Sequence, residues 1–251
     1  MTATLPVART AWTERDGLLI SPLLASLGLI AGFTTRGQGS MAGAHFPLDE
    51  QAANRAALAK RLGFRTLTRT RQVHGREAVA VTVQAEPWPI ADAQWTDQRG
   101  VLLGVAAADC VPILVADADG PIGAAHAGWQ GTTLGVATAL VEAMVAGGAN
   151  RDRLVAALGP SIGPCCYTID AERAEIVRQR IGDDALRSAG DKAVLDIWSA
   201  NAAQLAAAGV GRIEISGLCT RSGGADLWSY RGRGADGRYG TQLGFIGRPV
   251  T

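Results

Sequence analysis

VLLGVAAADCVPILVADADGPIGAAHAGWQGTT, residues 101–133, holds two apolar runs, Val101–Ala108 and Val111–Ala116, parted only by Asp109-Cys110. A third run, Ile122–Ala125, ends in His126. Apolar runs this short, bounded by turn residues, predict buried strands, so Asp109-Cys110 falls inside the core or at its rim. Ala118-Asp119-Gly120 has the make-up of a three-residue hairpin loop with glycine at the left-handed position. That loop sets Asp117 opposite Pro121, Pro112 opposite His126, and Cys110 diagonal to His126 on one face. A loop one residue longer or shorter would send thiol and imidazole to opposite faces.

On either side of this stretch the chain alternates strands and helices. Leu18 to Phe33 is apolar, but Glu14 and Asp16 before it, Ser21, Pro22 and Ser26 within it and its shortness argue against a leader or a membrane anchor. It reads as a strand, a turn and a strand. Ala31–Thr35 is a strand entering the glycine-rich loop Arg36–Ala44, and Asp49-Glu50 opens a helix to about Leu62, stopped by Gly63. Leu67–Val73 and Ala78–Val83 form a second candidate hairpin closed by His74-Gly75-Arg76-Glu77, followed by a loop, Glu86–Gly100. Gly131–Ala146 reads as one helix. Leu154–Leu158, Ile213–Leu218 and Gln242–Ile246 read as strands, and Ala171–Ile181 and Ile197–Ala208 as helices. The prediction is an α/β protein, a single domain over 1–251 with mixed β-sheets packed with helices.

The 251 residues, 47% hydrophobic, are enough for a large core, and 24 basic against 23 acidic residues leave a net charge of +1. No basic block suggests nucleic acid or a membrane surface, so a small-molecule substrate is expected, acted on by a monomer. Four cysteines without CxxC spacing give neither a disulfide framework nor a zinc knuckle, and a reducing cytoplasm is the expected setting.

Two motif matches fail on context. Gly159-Pro160-Ser161-Ile162-Gly163 fits the nucleophile elbow, yet His45, His74 and His126 all precede the serine, against the order of α/β-hydrolases. Gly232-Arg233-Gly234-Ala235-Asp236-Gly237 fits the dinucleotide fingerprint but has no room after it for the second strand and acidic residue. It reads as an arginine-bearing loop. A third grouping holds up: His74, Cys110 and His126 lie at strand ends beside small residues, and two imidazoles with a thiolate suit a zinc ion whose fourth position is left to water.

Gln72-Val73-His74-Gly75, Ala91-Asp92-Ala93, Ala108-Asp109-Cys110-Val111-Pro112, Ala125-His126-Ala127-Gly128-Trp129, Leu158–Gly163 with Cys166-Tyr167, and Cys219-Thr220 together resemble the laccase-domain or polyphenol oxidase family, also called purine nucleoside phosphorylase-like or peptidoglycan editing factor. The likeness runs in order from about Gly32 to Gly247. It implies Zn2+ on His74, Cys110 and His126, phosphorolysis of adenosine, inosine and methylthioadenosine, and deamination of adenosine. Three histidines are too few for a multicopper oxidase. The sequence departs from the family where Gly37–Ala53 is short and carries His45, where Gln130 replaces an arginine, and where Gly232 replaces another. Fewer cations predict weak phosphorolysis.

Asp109 and Glu77 are the candidates for moving a proton, with Asp109 placed beside Cys110 and His126 in the catalytic set. Arg36, Arg71, Arg76 and Arg231 are the candidates for binding phosphate. Alternatives stay open: a metal-free cysteine hydrolase with Cys110 as nucleophile, His126 as base and Asp109 orienting it; editing of a peptidoglycan precursor; or a non-catalytic binding protein.

Overall fold

The computed structural model of the chain describes residues 7–9, 12–82, 87–224 and 226–250. Its centre is a hairpin with the expected register: Val111–Asp117 pairs antiparallel with Ile122–Ala127, with His126 opposite Pro112, and the Asp117 N–H donates to the Pro121 carbonyl at 2.9 Å, although Gly120 does not take the left-handed conformation expected of it. Both faces of this hairpin are buried. Val111, Ile113, Val115, Ala125 and Ala127 face one apolar cluster, and Leu114, Ala116, Ile122 and Ala124 face another. Burial on both faces is what turns these strands into unbroken apolar runs.

The hairpin lies inside a seven-stranded sheet whose order is Val7–Arg9, Arg212–Ile215, Leu154–Leu158, Val111–Asp117, Ile122–Ala127, Ala93–Thr96, Ala78–Ala80. A six-stranded sheet packs on its inner face in the order Thr13–Arg15, Leu18–Ile20, Ile30–Thr34, Gln242–Gly247, Val101–Ala107, Thr66–Thr68. Phe33, Leu103 and Val105 from the second sheet meet Leu114 and Ile122 from the first. Helices Val136–Ala146 and Ile197–Ala207 cover the outer face of the larger sheet through Leu140, Met144, Trp198 and Leu205. Leu58 and Ala59 of helix Leu48–Arg61 cover the smaller one, against Leu102, Leu243 and Phe245. Thr168–Ile169, Lys192–Leu195 and Leu186–Ala189 make a small third sheet. The fold is thus mixed α/β, as expected, and among the described residues no helix is long and apolar enough to cross a membrane.

Three readings of the elements need correction. The second hairpin does not form: Thr66–Thr68 pairs parallel with Val101–Leu103, and Ala78–Ala80 pairs parallel with Ala93–Trp95 in the other sheet. Its connection turns around a carboxylate instead, as described below, and Val83 lies outside the described residues. The loop expected over Glu86–Gly100, whose Glu86 also lies outside them, contains the strand Ala93–Thr96. Buried Gln94 had disguised it; its amide donates to the Gly104 carbonyl at 2.7 Å. The helix expected over Gly131–Ala146 is two helices, Trp129–Leu134 and Val136–Ala146, broken where Gly135 adopts φ +80°. The Leu18–Phe33 segment is a strand, a turn and a strand as expected, the turn being one helical turn, Pro22–Ala25, capped by the Ser21 side chain.

Asp117 anchors the closed end of the central hairpin. Its buried carboxylate accepts from the Asn150 N–H at 2.7 Å and the Asp119 N–H at 3.2 Å, and sits 2.9 Å from the Arg153 guanidinium. Burial pushes this acid up, but Arg153 and the two N–H groups outweigh it and hold it below the usual carboxylate range. Because the native acid binds its proton less readily than the unfolded one, its contribution is present above the unfolded value and fades as pH falls through the native one. Asp117→Asn is expected to lower unfolding stability by about 1–3 kcal/mol at neutral pH. Urea denaturation should show the gap to the parent narrowing below about pH 4; a gap independent of pH would contradict this role.

Candidate metal centre

One carboxylate positions two of the three candidate ligands. The chain at Val73-His74-Gly75 bends with His74 at φ +61°, and its successive N–H groups converge on Asp92: Val73 at 3.0 Å, His74 at 2.9 Å and Gly75 at 2.7 Å. The Asp92 Oδ1 atom also lies 2.9 Å from Nδ1 of His126. A partnered Nδ1 leaves Nε2 as the ligating nitrogen, the usual device for orienting a metal-binding imidazole. Burial pushes Asp92 up, but His126 and the N–H groups prevail and hold it near 2.

Cys110 arrives from the other side, at the start of the inner hairpin strand. Asp109 before it takes φ +88°, a conformation that costs a non-glycine residue on the order of 1–3 kcal/mol and clusters at functional sites. Three contacts hold it there. Its carboxylate accepts from the Thr220 hydroxyl at 2.6 Å and the Arg231 N–H at 2.7 Å, and its carbonyl accepts from the Ile162 N–H at 2.9 Å.

The ligand atoms of His74, Cys110 and His126 all lie within 4.8 Å of one another, and the two imidazoles meet edge to face at 4.8 Å. The predicted hairpin register brings Cys110 to His126, and the turn around Asp92 adds His74. Burial pushes the Cys110 thiol up, but the His126 charge and hydrogen bonds from both histidines reverse that and bring it to about 6. Burial pushes His126 down, whereas the Cys110 charge and Asp92 carry it up to about 9. The metal-free trio therefore favours thiolate, the form that binds a cation.

Gly128 leaves the space for it. A Cβ there would lie 2.9 Å from Cys110 Sγ and 3.0 Å from His74 Cδ2, although the backbone at φ −76° accepts alanine. Gly128→Ala is expected to fold normally and to weaken metal binding about tenfold or more, the scale of disturbances just outside the ligand set. Metal analysis beside circular dichroism checks this, and full metal occupancy in the variant would refute it.

The trio opens on a cleft of about 1870 Å3. Arg71 and Arg231 line it, as do Arg233 of the arginine-bearing loop and Arg173, which was not among the candidates. Arg173 stacks over Trp129 at 5.6 Å, Arg233 over Tyr230 at 4.0 Å and Arg231 over Tyr167 at 5.2 Å. Such stacking holds planar cations beside aromatic faces. Burial, with Cys110 adding to it, pushes the Tyr167 hydroxyl up to about 12, so it stays protonated.

Other candidates fall elsewhere. Arg36 donates to the Leu227 carbonyl, faces Asp226 and lies over Trp228, and it does not line the cleft. Arg76 and Glu77 do not line it either. Asp109 lines the cleft, but it does not orient His126; Asp92 does. Ser161 of the elbow-like motif is buried, and its hydroxyl has no hydrogen-bond partner among the described residues. The glycine-rich segment 232–237 is a loop that carries Arg233 into the cleft. Asp92 was not among the sequence candidates, because the strand Ala93–Thr96 that it precedes was itself read as loop.

Residues 32–249 match the profile of the multi-copper polyphenol oxidoreductase laccase family. The chain is 41% identical over 243 residues to a purine nucleoside phosphorylase of Deinococcus radiodurans, covering 91% of this chain and 93% of that one. It is 40% identical over 147 residues to adenosine deaminase RL5 from an unidentified prokaryote, covering 56% of each. The crystal structure of YlmD from Geobacillus stearothermophilus superposes with a TM-score of 0.82 at 31% identity, covering 95% of this chain and 98% of that one. YfiH of Bacillus licheniformis follows at 0.81 and 28%, covering 94% and 97%.

Proposed function

This chain belongs to the multi-copper polyphenol oxidoreductase laccase family, and on that premise we propose that it is a zinc-dependent purine nucleoside enzyme. Its reactions in this reading are phosphorolysis of adenosine, inosine and methylthioadenosine and deamination of adenosine. The observation that carries the reading is the meeting of His74, Cys110 and His126 beside a cleft lined by arginines and aromatic rings. The similarity to a phosphorylase and a deaminase supports it.

Two imidazoles and a thiolate suit zinc, and three protein ligands leave a position open to substrate. Bound there, zinc supplies Lewis-acid activation of the water or substrate that reaches it. Asp92 fixes the ring of His126. Arg71, Arg173, Arg231 and Arg233 bind phosphate and orient it, and Trp129 and Tyr230 offer flat faces to a purine. Tyr167 holds a proton that it can donate to a leaving group. Asp109, its oxygens already accepting, positions Arg231. Because Gln130 and Gly232 withhold two cations, phosphorolysis in this reading is weak relative to that of its relatives.

Adenosine incubated with the zinc-loaded protein, with and without phosphate, tests this by its products. Adenine with ribose 1-phosphate is expected only when phosphate is present, and inosine in both reactions. Neither product would overturn the reading and turn attention to peptidoglycan precursors.

A second reading has a specific observation behind it: Asp92, His126 and Cys110 also form the carboxylate, imidazole and thiol line of a cysteine hydrolase. His74 at the same thiol is superfluous to that mechanism and useful to a metal, which favours the first reading. Activity lost to chelator and restored by zinc supports the metal. Activity that ignores chelator and is blocked by iodoacetamide supports the thiol nucleophile.

A further inference from the structure

A second group of sulfur atoms lies outside the metal centre. Cys165 and Cys166 sit in one loop and Cys219 in another, and all three are free thiols. Backbone hydrogen bonds lace these loops together: the Ser161 N–H donates to the Leu218 carbonyl at 3.2 Å and the Thr220 N–H to the Ser161 carbonyl at 2.9 Å. The Gly163 N–H donates to the Cys219 sulfur itself at 3.3 Å. Around Cys219 the chain turns tightly, closed by the Gly223 N–H on the Cys219 carbonyl at 2.8 Å. A Cβ at position 223 would lie only 2.5 Å from that carbonyl oxygen, so the turn demands glycine.

The three sulfurs lie within 4.8 Å of one another, with those of Cys165 and Cys166 3.6 Å apart. Three thiolates about 2.3 Å from one ion stand roughly 4 Å apart, so the loops already hold the spacing that a cation imposes. The Ser222 hydroxyl lies 3.4 Å from the Cys165 sulfur and 3.3 Å from that of Cys166, a ready oxygen partner. A disulfide is a poorer use of the neighbouring pair. Adjacent Cα atoms are about 3.8 Å apart, shorter than the span that an unstrained bridge prefers.

We propose that Cys165, Cys166 and Cys219 form a second, all-thiolate metal site that takes one soft, filled-shell cation, Zn2+ or Cu+. The donor set contains no imidazole or carboxylate, and thiolates alone select this class of ion. Binding exchanges thiol protons for the cation and releases them to solvent, with no electron transferred. The ion ties the two loops at a point next to Thr220, whose hydroxyl holds Asp109 beside Cys110.

The test uses the full chain, stripped of metal, reduced and kept anaerobic. One arm titrates Zn2+ against a chromophoric chelator, and the other titrates Cu+ against bathocuproine disulfonate. The expected result in at least one arm is two equivalents per chain, and the arm that shows the second identifies the ion. Cys165→Ser with Cys166→Ser removes one equivalent, and Cys110→Ser removes the other and spares the second. Cys165 is exposed and Cys166 half-buried, so the double variant keeps the core intact. One equivalent in both arms, or a second equivalent that survives Cys165→Ser with Cys166→Ser, overturns the proposal. Because Cys110→Ser reports on the first site alone, failure here leaves the function proposed above standing, and the reverse holds as well.

Discussion

Cys110→Ala is expected to abolish metal binding at the trio and to cut purine nucleoside turnover by about a thousandfold or more, since a catalytic metal supplies several kcal/mol of transition-state stabilisation. The thiolate is the only anion among the three ligands, and without it two imidazoles hold the ion weakly. The fold should survive. Cys110 stands at the edge of the cleft, half-buried, and alanine fills the start of a strand without leaving a buried charge. Metal content, circular dichroism and turnover should be measured on one preparation. Full metal occupancy in a folded Cys110→Ala chain would refute the ligand assignment, and undiminished turnover would refute the function built on it.

Asp92→Ala is expected to do damage of two kinds. The His126 ring loses its Nδ1 partner, which at other metal sites costs 10–100-fold in affinity or activity. The N–H groups of Val73, His74 and Gly75 also lose their shared acceptor, at about 0.5–1.5 kcal/mol for each hydrogen bond. Thermal unfolding should therefore fall by several degrees along with the metal affinity. Asp92→Asn separates the two roles poorly, because one end of its amide would present N–H to N–H. A variant as stable as the parent, with unchanged metal affinity, would show that the carboxylate organises nothing.

Much of this was legible in the sequence because the central hairpin is governed by a strict rule. The loop 118–120 fixes register, register fixes which face Cys110 and His126 share, and buried strands leave little freedom to slip. His74 could be placed in the site but not in the fold. Its turn is held by a carboxylate eighteen residues on, and no local pattern announces a contact of that range. Gln94 misled for the opposite reason: a buried amide that satisfies a neighbouring sheet looks, in sequence, like a loop residue. Arg173 was missed because surface arginines are common, and only packing against Trp129 marks it out. The three-sulfur cluster was invisible because its members come from loops more than fifty residues apart.

The strand Gln242–Gly247 lies between Ile30–Thr34 and Val101–Ala107 in the smaller sheet. During synthesis both of those strands leave the ribosome long before their shared partner, and each carries an unpaired, apolar edge while it waits. Such edges are templates for pairing between chains. The smaller sheet closes only once residues 242–247 are available to pair with both strands. Chains interrupted before Gln242 should accumulate in the insoluble fraction even though every metal ligand has already been made.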